Sequence, residues 1–156
     1  MNDNKWIKRA TELARSGMES GDGGPFGCVI VKDGQMVAEG WNRVLAQKDP
    51  TAHAEIVAIR RACEVLGDFQ LTDCDLYTSC EPCPMCLGAI YWARPDRVIY
   101  SATRADAKKA GFDDELIYRE IGRAAAERKI PFEHLPYDEA CRVFDLWIRK
   151  ESKTMY

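Results

Sequence analysis

The stretch from residue 75 to residue 102 constrains the fold of this chain more than any other part of its sequence. It opens with the apolar run "DLYTS", continues with "CPMCLGAIYWAR" from Cys83 onward, and closes after Pro95 with "RVIYSA". This pattern predicts a strand, a helix that the proline ends, and a second strand. Two strands joined by a helix lie parallel in one sheet, so the segment predicts an α/β fold.

Three segments before this stretch have a clear periodicity. Apolar residues recur at helical spacing over residues 3–20, and residues 52–66 are rich in helix formers and end at Gly67. Between these segments, the apolar runs "FGCVIVK" and "QMVAEGW" flank Asp33-Gly34. An Asp-Gly pair in this setting is a strong hairpin signal. We therefore expect a helix, a hairpin and a second helix.

The remaining third of the chain predicts further helices and one more strand. Helical signals surround "DDELIYREI", "IPFEHLP" is a candidate last strand, and "YDEACRVFDLWIRKESKTMY" is a candidate closing helix. A chain of 156 residues that is 46% hydrophobic suffices for one domain over residues 1–156, with 131–156 as its C-terminal segment. We expect a three-layer α/β/α sandwich with a mixed central sheet of about five strands flanked by helices.

Charge and cysteine content argue against several classes of protein, although a local basic patch is compatible with the charge balance. The chain has 22 basic and 25 acidic residues and a net charge of -3, whereas nucleic-acid binders have a basic surplus or patch. The N-terminus lacks the apolar core of a signal peptide, and no run approaches the roughly 20 apolar residues that span a bilayer. Seven cysteines without a secretion signal predict reduced thiols. We expect a cytoplasmic protein without a nucleic-acid or membrane partner.

The sequence contains a possible metal-binding site. Cys83 and Cys86 have the C-x-x-C spacing that lets two thiolates bind one ion, at a helix start that favours thiolates. His53 in "TAHAEI" supplies a third ligand, and three protein ligands are typical of a catalytic zinc with an open position. Glu55 follows two residues later and shares the cavity only if both residues lie in the first turn of a helix.

Other metal and redox sites remain open alternatives. A fourth ligand from Cys80, Cys74 or His134 would close the site, and the run C-x-x-C-x-x-C also fits an iron-sulfur or structural zinc site. Pro82 and Pro84 should keep the chain extended and turn Cys80 away. A thioredoxin-type redox pair is a further alternative, but it leaves the H-A-E sequence without a role.

The pattern H-x-E followed by P-C-x-x-C is the signature of zinc nucleobase deaminases, and it occurs here as "HAE" and "PCPMC". Together with "GGPFG" and "WN", it makes the chain similar to the cytidine deaminase superfamily over roughly residues 21–114. "SCEPCPMCLGAIYWARP" and "AGFDD" resemble the small bacterial guanine deaminases. The resemblance implies a cytidine deaminase-like fold and a hydrolase of purine catabolism or salvage that converts guanine to xanthine and ammonia.

The resemblance also implies the role of each site residue. His53, Cys83 and Cys86 would hold one Zn²⁺ per subunit, with water or hydroxide as the fourth ligand, and Glu55 would be the general acid and base. The residues implied to bind the purine base are Phe26, Asn42, Ala54, Asp114 and Tyr156.

Several of these substrate-binding residues also have a purely structural interpretation. Phe26 fits an ordinary core position, Asn42 a turn, and Asp114 the N-cap of the following helix, although Asp113 also fits that cap. Tyr156 is at a chain end, where side chains are usually unimportant. The resemblance implies instead a homodimer in which residues 131–156 are exchanged between subunits and close the active site.

Three competing functions are weighed against guanine deamination. A tRNA adenosine deaminase shares the H-A-E and P-C-x-M-C-x-G-A patterns but needs a basic surface for RNA, and the tail "RKESKTMY" is only weakly basic. Cytosine or pterin-type deaminases are expected to differ at Asp114. A non-catalytic zinc-stabilised module is the alternative of another class, and Glu55 argues against it.

Overall fold

The computed structural model describes residues 3–156, which form seven α-helices, four β-strands and one 3₁₀ helix. The elements follow in the order α1 (Asp3–Glu19), β1 (Gly27–Lys32), β2 (Gln35–Trp41), α2 (Val44–Gln47), α3 (Ala54–Leu66), β3 (Cys74–Cys80), α4 (Pro84–Ala93), β4 (Arg97–Ala102), α5 (Arg104–Lys109), α6 (Glu115–Ile121), the 3₁₀ helix (Ala125–Glu127) and α7 (Asp138–Arg149). Within residues 3–156, no helix has the length and apolar character needed to cross a bilayer.

The four strands form one mixed sheet in the order β2-β1-β3-β4. β1 is antiparallel to β2 and β3, whereas β3 and β4 are parallel and are connected through α4. The predicted strand-helix-strand crossover is therefore confirmed. In the β1-β2 turn, Asp33 and Gly34 have φ values of 51° and 72°, and positive φ at both central residues is what a type I′ hairpin turn requires.

Helices cover both faces of the sheet, as expected for a three-layer sandwich. Successive side chains of β1 point to opposite faces. Val29 and Val31 pack in the core under α1, which also contains Trp6, Ala10, Leu13 and Tyr77. Cys28 and Ile30 pack in the core under α3 and α4, which also contains Ala54, Ala58, Ala62, Leu76, Ile90 and Ala93. The predicted fold class is confirmed.

Two strand glycines let helices lie directly on the sheet. A Cβ atom at Gly27 would lie 2.1 Å from the backbone oxygen of Ala10 in α1. On the other face, a Cβ atom at Gly40 would lie 2.5 Å from the oxygen of Ala54 and 2.6 Å from the nitrogen of Ala58. Any larger residue at Gly40 would lift the first turns of α3 from the sheet.

The chain differs from expectation after the fourth strand. Residues 130–136, "IPFEHLP", form no strand, so the sheet of the described residues has four strands rather than about five. Pro131 and Pro136 cannot donate the backbone hydrogen bonds of a ladder. The chain divides into two compact units, residues 3–114 and 115–156. One domain over 1–156 with a C-terminal segment at 131–156 stays a prediction.

Candidate functional site

Three of the predicted site residues meet where α3 and α4 begin. His53 is the N-cap residue of α3, Cys83 is the N-cap residue of α4, and Cys86 lies in the first turn of α4. Their ligand atoms all lie within 4.8 Å of one another. Over residues 3–156, they are the one group of three or more His, Cys, Asp or Glu side chains arranged to hold a metal ion.

The spacing of these ligand atoms fits zinc. Nδ1 of His53 lies 3.5 Å from Sγ of Cys83 and 3.5 Å from Sγ of Cys86. Sulfur and nitrogen donors bound tetrahedrally at about 2.3 and about 2.0 Å are about 3.5 Å apart. Because both distances involve Nδ1, that nitrogen would be the ligand and Nε2 would carry the ring proton. One imidazole and two thiolates are also a donor set that zinc accepts.

The ionisation of the two thiols is coupled. The hydrogen bond from Cys86, with a further contribution from His53, lowers the pKa of Cys83 well below its usual value although burial opposes it. The same hydrogen bond and burial raise the pKa of Cys86. Cys83 is therefore the more readily formed thiolate of the pair, and a bound cation would favour loss of both protons.

Glu55 lies beside the ligand cluster in the first turn of α3. Its side chain is buried, with 5% of the residue exposed. Oε1 accepts a hydrogen bond from the hydroxyl of Thr78 at 3.2 Å, and Oε2 accepts one from Sγ of Cys86 at 3.4 Å. Burial raises the pKa of Glu55. The backbone of His53 is still extended, at φ -69° and ψ 156°, because this residue precedes the helix. The side chains of His53 and Glu55 can therefore both lie at the ligand cluster although the residues are two apart.

Asn42 directly follows β2 and is held by the backbone. Its Oδ1 accepts hydrogen bonds from the N–H groups of Gly24 and Val44, both at 3.2 Å. Its own N–H group donates to the backbone oxygen of Phe26 at 3.0 Å. Because Oδ1 accepts two hydrogen bonds, the orientation of the amide is defined. Nδ2 is thus the polar atom left to act as a donor.

Phe26, whose backbone oxygen accepts from Asn42, belongs to an aromatic pair. Phe26 is half-buried and packs edge to face on Phe112, with ring centroids 4.9 Å apart and an interplanar angle of 85°. Ala54 is fully buried as the first residue of α3. If Phe26 forms an apolar wall for the base, the ring of Phe112 packs against that wall. The sequence motifs did not single out Phe112.

Asp114 ends the first unit directly before α6 and forms an ion pair. Its Oδ1 lies 3.6 Å from Nη2 of Arg104. Burial raises the pKa of Asp114, Arg104 opposes this shift, and the charge of Cys83 adds to it. The neighbouring Asp113 forms its own ion pair with Lys108 at 3.2 Å.

The other candidate residues do not belong to the ligand cluster. Sγ of Cys80 donates to the backbone oxygen of Thr103 at 3.6 Å, and Cys74 lies in the core under α3 and α4. His134 and Tyr156 belong to the second unit and are exposed. None of these four residues is in the group that could hold a metal.

Sequence reasoning missed three residues near the site, namely Thr78, Phe112 and Arg104. Thr78 is a buried polar residue within a strand, and that was the available signal. Phe112 belongs to "AGFDD", a motif that was matched only as a whole. Arg104 has no signal in the sequence, because its relation to the site appears only when its partner Asp114 is placed.

Comparisons with known proteins agree with this geometry. Residues 1–102 match the family described as the cytidine and deoxycytidylate deaminase zinc-binding region. The chain is 57% identical to guanine deaminase of Bacillus subtilis over 156 residues, which is 100% of both proteins. It is 34% identical to a tRNA-specific adenosine deaminase of Aquifex aeolicus over 145 residues, 93% of each.

Solved structures show the same relationship. The X-ray structure of the Bacillus subtilis guanine deaminase superposes with a TM-score of 0.97 at 57% identity, over 100% of this chain and 99% of that one. A guanine deaminase from Nitrosomonas europaea gives a TM-score of 0.66 at 34% identity, over 70% of this chain and 63% of that one. These matches confirm the resemblance inferred from the motifs.

Proposed function

This chain belongs to the cytidine and deoxycytidylate deaminase family, and we propose that it is a hydrolase that converts guanine and water to xanthine and ammonia. The observation that carries the proposal is the similarity over the whole chain to a guanine deaminase, in sequence and in structure. The ligand cluster of His53, Cys83 and Cys86 with Glu55 beside it supports the same chemistry. The enzyme would serve purine catabolism or salvage.

The three ligands are proposed to hold one zinc ion per subunit and to leave the fourth position for water. Zinc bound in this way would lower the pKa of that water toward about 7, so that a nucleophile exists at neutral pH. His53 and Cys83 support this assignment because both are N-cap residues. The positive ends of two helix dipoles therefore favour negative charge at the site.

Glu55 would move the protons of the reaction. Its carboxylate takes one proton from water and delivers it to the ring nitrogen N3, while the water oxygen forms a bond to C2 of guanine. It then carries the second proton to the 2-amino group, the bond from C2 to that nitrogen breaks, and ammonia leaves. Thr78 donates to Oε1, whereas Oε2 faces the ligand cluster and accepts from Sγ of Cys86.

Four residues would bind and select the base. Asn42 would donate from Nδ2 to an acceptor on the purine edge, and Asp114 would accept from the N–H donors of guanine. Phe26 would provide an apolar wall, and Ala54 would offer its backbone groups. Adenine presents a different pattern of donors and acceptors, so the Asp114 carboxylate would favour guanine.

Ammonia release tests both the substrate and the mechanism. We expect the zinc-loaded protein to act on guanine in preference to guanosine, adenine, cytosine or a tRNA anticodon stem-loop. Turnover of the stem-loop but not of guanine would make the protein a tRNA adenosine deaminase, the second candidate that the 34% identity to such an enzyme keeps open.

The Glu55→Gln variant tests the mechanism. It should abolish turnover and retain zinc. Full activity of that variant would refute the proposed role of Glu55. Absence of ammonia release by the zinc-loaded wild-type protein would leave a non-catalytic zinc module.

We further propose a homodimer in which residues 131–156 are exchanged and Tyr156 reaches the substrate of the other subunit. The support is the second unit, residues 115–156, where apolar side chains of α7 are largely exposed: Val143, Phe144, Leu146 and Ile148. Such exposed apolar surface is typical of an interface.

Truncation of the C-terminal segment tests this proposal. Deletion of residues 153–156 should reduce guanine turnover at unchanged zinc content. Undiminished turnover would remove Tyr156 from the site, and sedimentation as a monomer would refute the dimer.

A cytoplasmic location is also proposed. All seven cysteines are free, with no disulfide among them. Such a set of thiols fits a reducing compartment.

A further inference from the structure

Arg104 links the metal-binding motif to Asp114. Its backbone N–H group donates to Oε2 of Glu81 at 3.0 Å, and Glu81 lies two residues before the ligand Cys83. The N–H group of Glu81 donates in turn to the backbone oxygen of Ala102 at 2.9 Å. The guanidinium group of Arg104 forms an ion pair with Asp114, with Nη2 3.6 Å from Oδ1.

A capping box fixes the backbone of Arg104. Thr103 is the N-cap residue of α5, and its hydroxyl and N–H groups donate to Oδ2 of Asp106 at 2.7 and 3.0 Å. Hydrogen bonds between the N-cap residue and the third residue of a helix hold its first turn in one conformation. The base of the Arg104 side chain is therefore positioned from two sides, by the capping box and by Glu81.

The charges around Asp114 act in opposite directions. Burial raises the pKa of this carboxyl group, and the negative charges of Cys83 and Asp113 raise it further. Arg104 lowers it. An ionised carboxylate presents only acceptors to the N–H donors of guanine, whereas a protonated carboxyl group presents an O–H donor in place of one acceptor. Such a donor would suit the acceptor N1 of adenine.

We propose that Arg104 is a positioning residue for base selection, which orients the Asp114 side chain and keeps it as the carboxylate that accepts from guanine. The inference rests on the proposed guanine deaminase function and adds to it a residue outside the motifs. Arg104 does not contact the base in this proposal. It acts through Asp114, so its loss should change substrate affinity and selectivity rather than the chemical step.

The test compares three variants in steady-state assays of ammonia release from guanine between pH 5 and 9. Arg104→Gln should raise KM for guanine about tenfold, the effect of weakening one charge-assisted hydrogen bond, with kcat and zinc content within twofold of wild type. The acid limb of kcat/KM should move to higher pH, because Asp114 without the cation binds a proton more readily. Turnover of adenine relative to guanine should increase.

Lys108→Gln is the matched control, because Lys108 forms the corresponding ion pair with the adjacent Asp113. It should leave KM and the pH profile unchanged. Arg104→Lys keeps the charge but not the planar donor geometry, so it should keep the wild-type acid limb and raise KM a few-fold. If Arg104→Gln does not fold, Arg104→Lys decides: a wild-type KM in that variant overturns the proposal.

Two further results would overturn it. The first is an Arg104→Gln variant with the same KM and pH profile as Lys108→Gln. The second is an Arg104→Gln change that costs as much in an Asp114→Asn background as in wild type, because a residue that acts through Asp114 has no effect once that carboxylate is gone. Failure of the wild-type protein to deaminate guanine would instead refute the proposed function.

Discussion

Gly23 leaves the space in which the Asn42 amide lies, so Gly23→Ala is expected to impair guanine deamination without touching a metal ligand. A Cβ atom at Gly23 would lie 2.1 Å from Oδ1 of Asn42, 2.8 Å from its backbone oxygen and 3.0 Å from Cγ. Unstrained contacts of this kind are about 3.5 Å. The amide must therefore move by about 1 Å.

The displacement has two measurable costs. Oδ1 of Asn42 would leave the N–H groups of Gly24 and Val44, and the loss of two hydrogen bonds should lower the free energy of unfolding by about 2 kcal/mol. The donor Nδ2 would move with Oδ1. A misplacement of about 1 Å in a group that positions the substrate reduces the rate by about 100-fold, which is our expectation for kcat/KM with guanine.

The assay is ammonia release from guanine, with zinc content measured on the same samples. Gly122→Ala is the control, because a Cβ atom there meets no atom closer than 4.0 Å. In an Asn42→Ala background, Gly23→Ala should cost less than in wild type, since the amide it displaces is already absent and only the contact with the backbone oxygen remains. The reasoning is refuted if Gly23→Ala stays within twofold of Gly122→Ala, or if the losses in the double variant multiply.

Three other changes test separate parts of the site. Thr78→Val removes the hydroxyl that donates to Glu55, so kcat should fall about tenfold whereas Thr78→Ser keeps most activity; equal losses would exclude a role for the hydrogen bond. Gly40→Ala would force α3 from the sheet, so urea denaturation should show a loss of about 3 kcal/mol, and an unchanged midpoint would contradict the close approach. Elemental analysis should find zinc lost in Cys83→Ser and retained in Cys80→Ser; loss in the second variant would make Cys80 a ligand.

The elements of the first unit were predictable because their signals are local. Asp33-Gly34 specifies a turn by itself, and the continuous apolar run of β1 fits its burial on both faces. The failure at "IPFEHLP" has the same origin. Its short run contains the apolar residues Ile130, Phe132 and Leu135, but two prolines remove backbone donors, and the sequence alone does not say which effect prevails.

The site was only partly predictable, because some of its contacts join residues that are far apart in the sequence. Cys83 and Cys86 are recognisable from their spacing, and His53 with Glu55 from the pattern H-x-E. The hydroxyl of Thr78 donates to the carboxylate of Glu55, although the two residues are 23 positions apart in the sequence. No periodicity encodes such a contact. It arises when α3 and β3 pack in one core, and it becomes visible only in the folded chain.

Packing of the sheet also explains why the motif predicts the chemistry better than the substrate. The helices that carry the ligands, α3 and α4, share one core on one face, so the relative position of His53 and Cys83 is set by that core. Asn42 and Asp114 lie instead in connections, after β2 and after α5. Connections tolerate changes that a core does not. A chain of this fold can therefore keep the same metal ligands while different loop residues select another base.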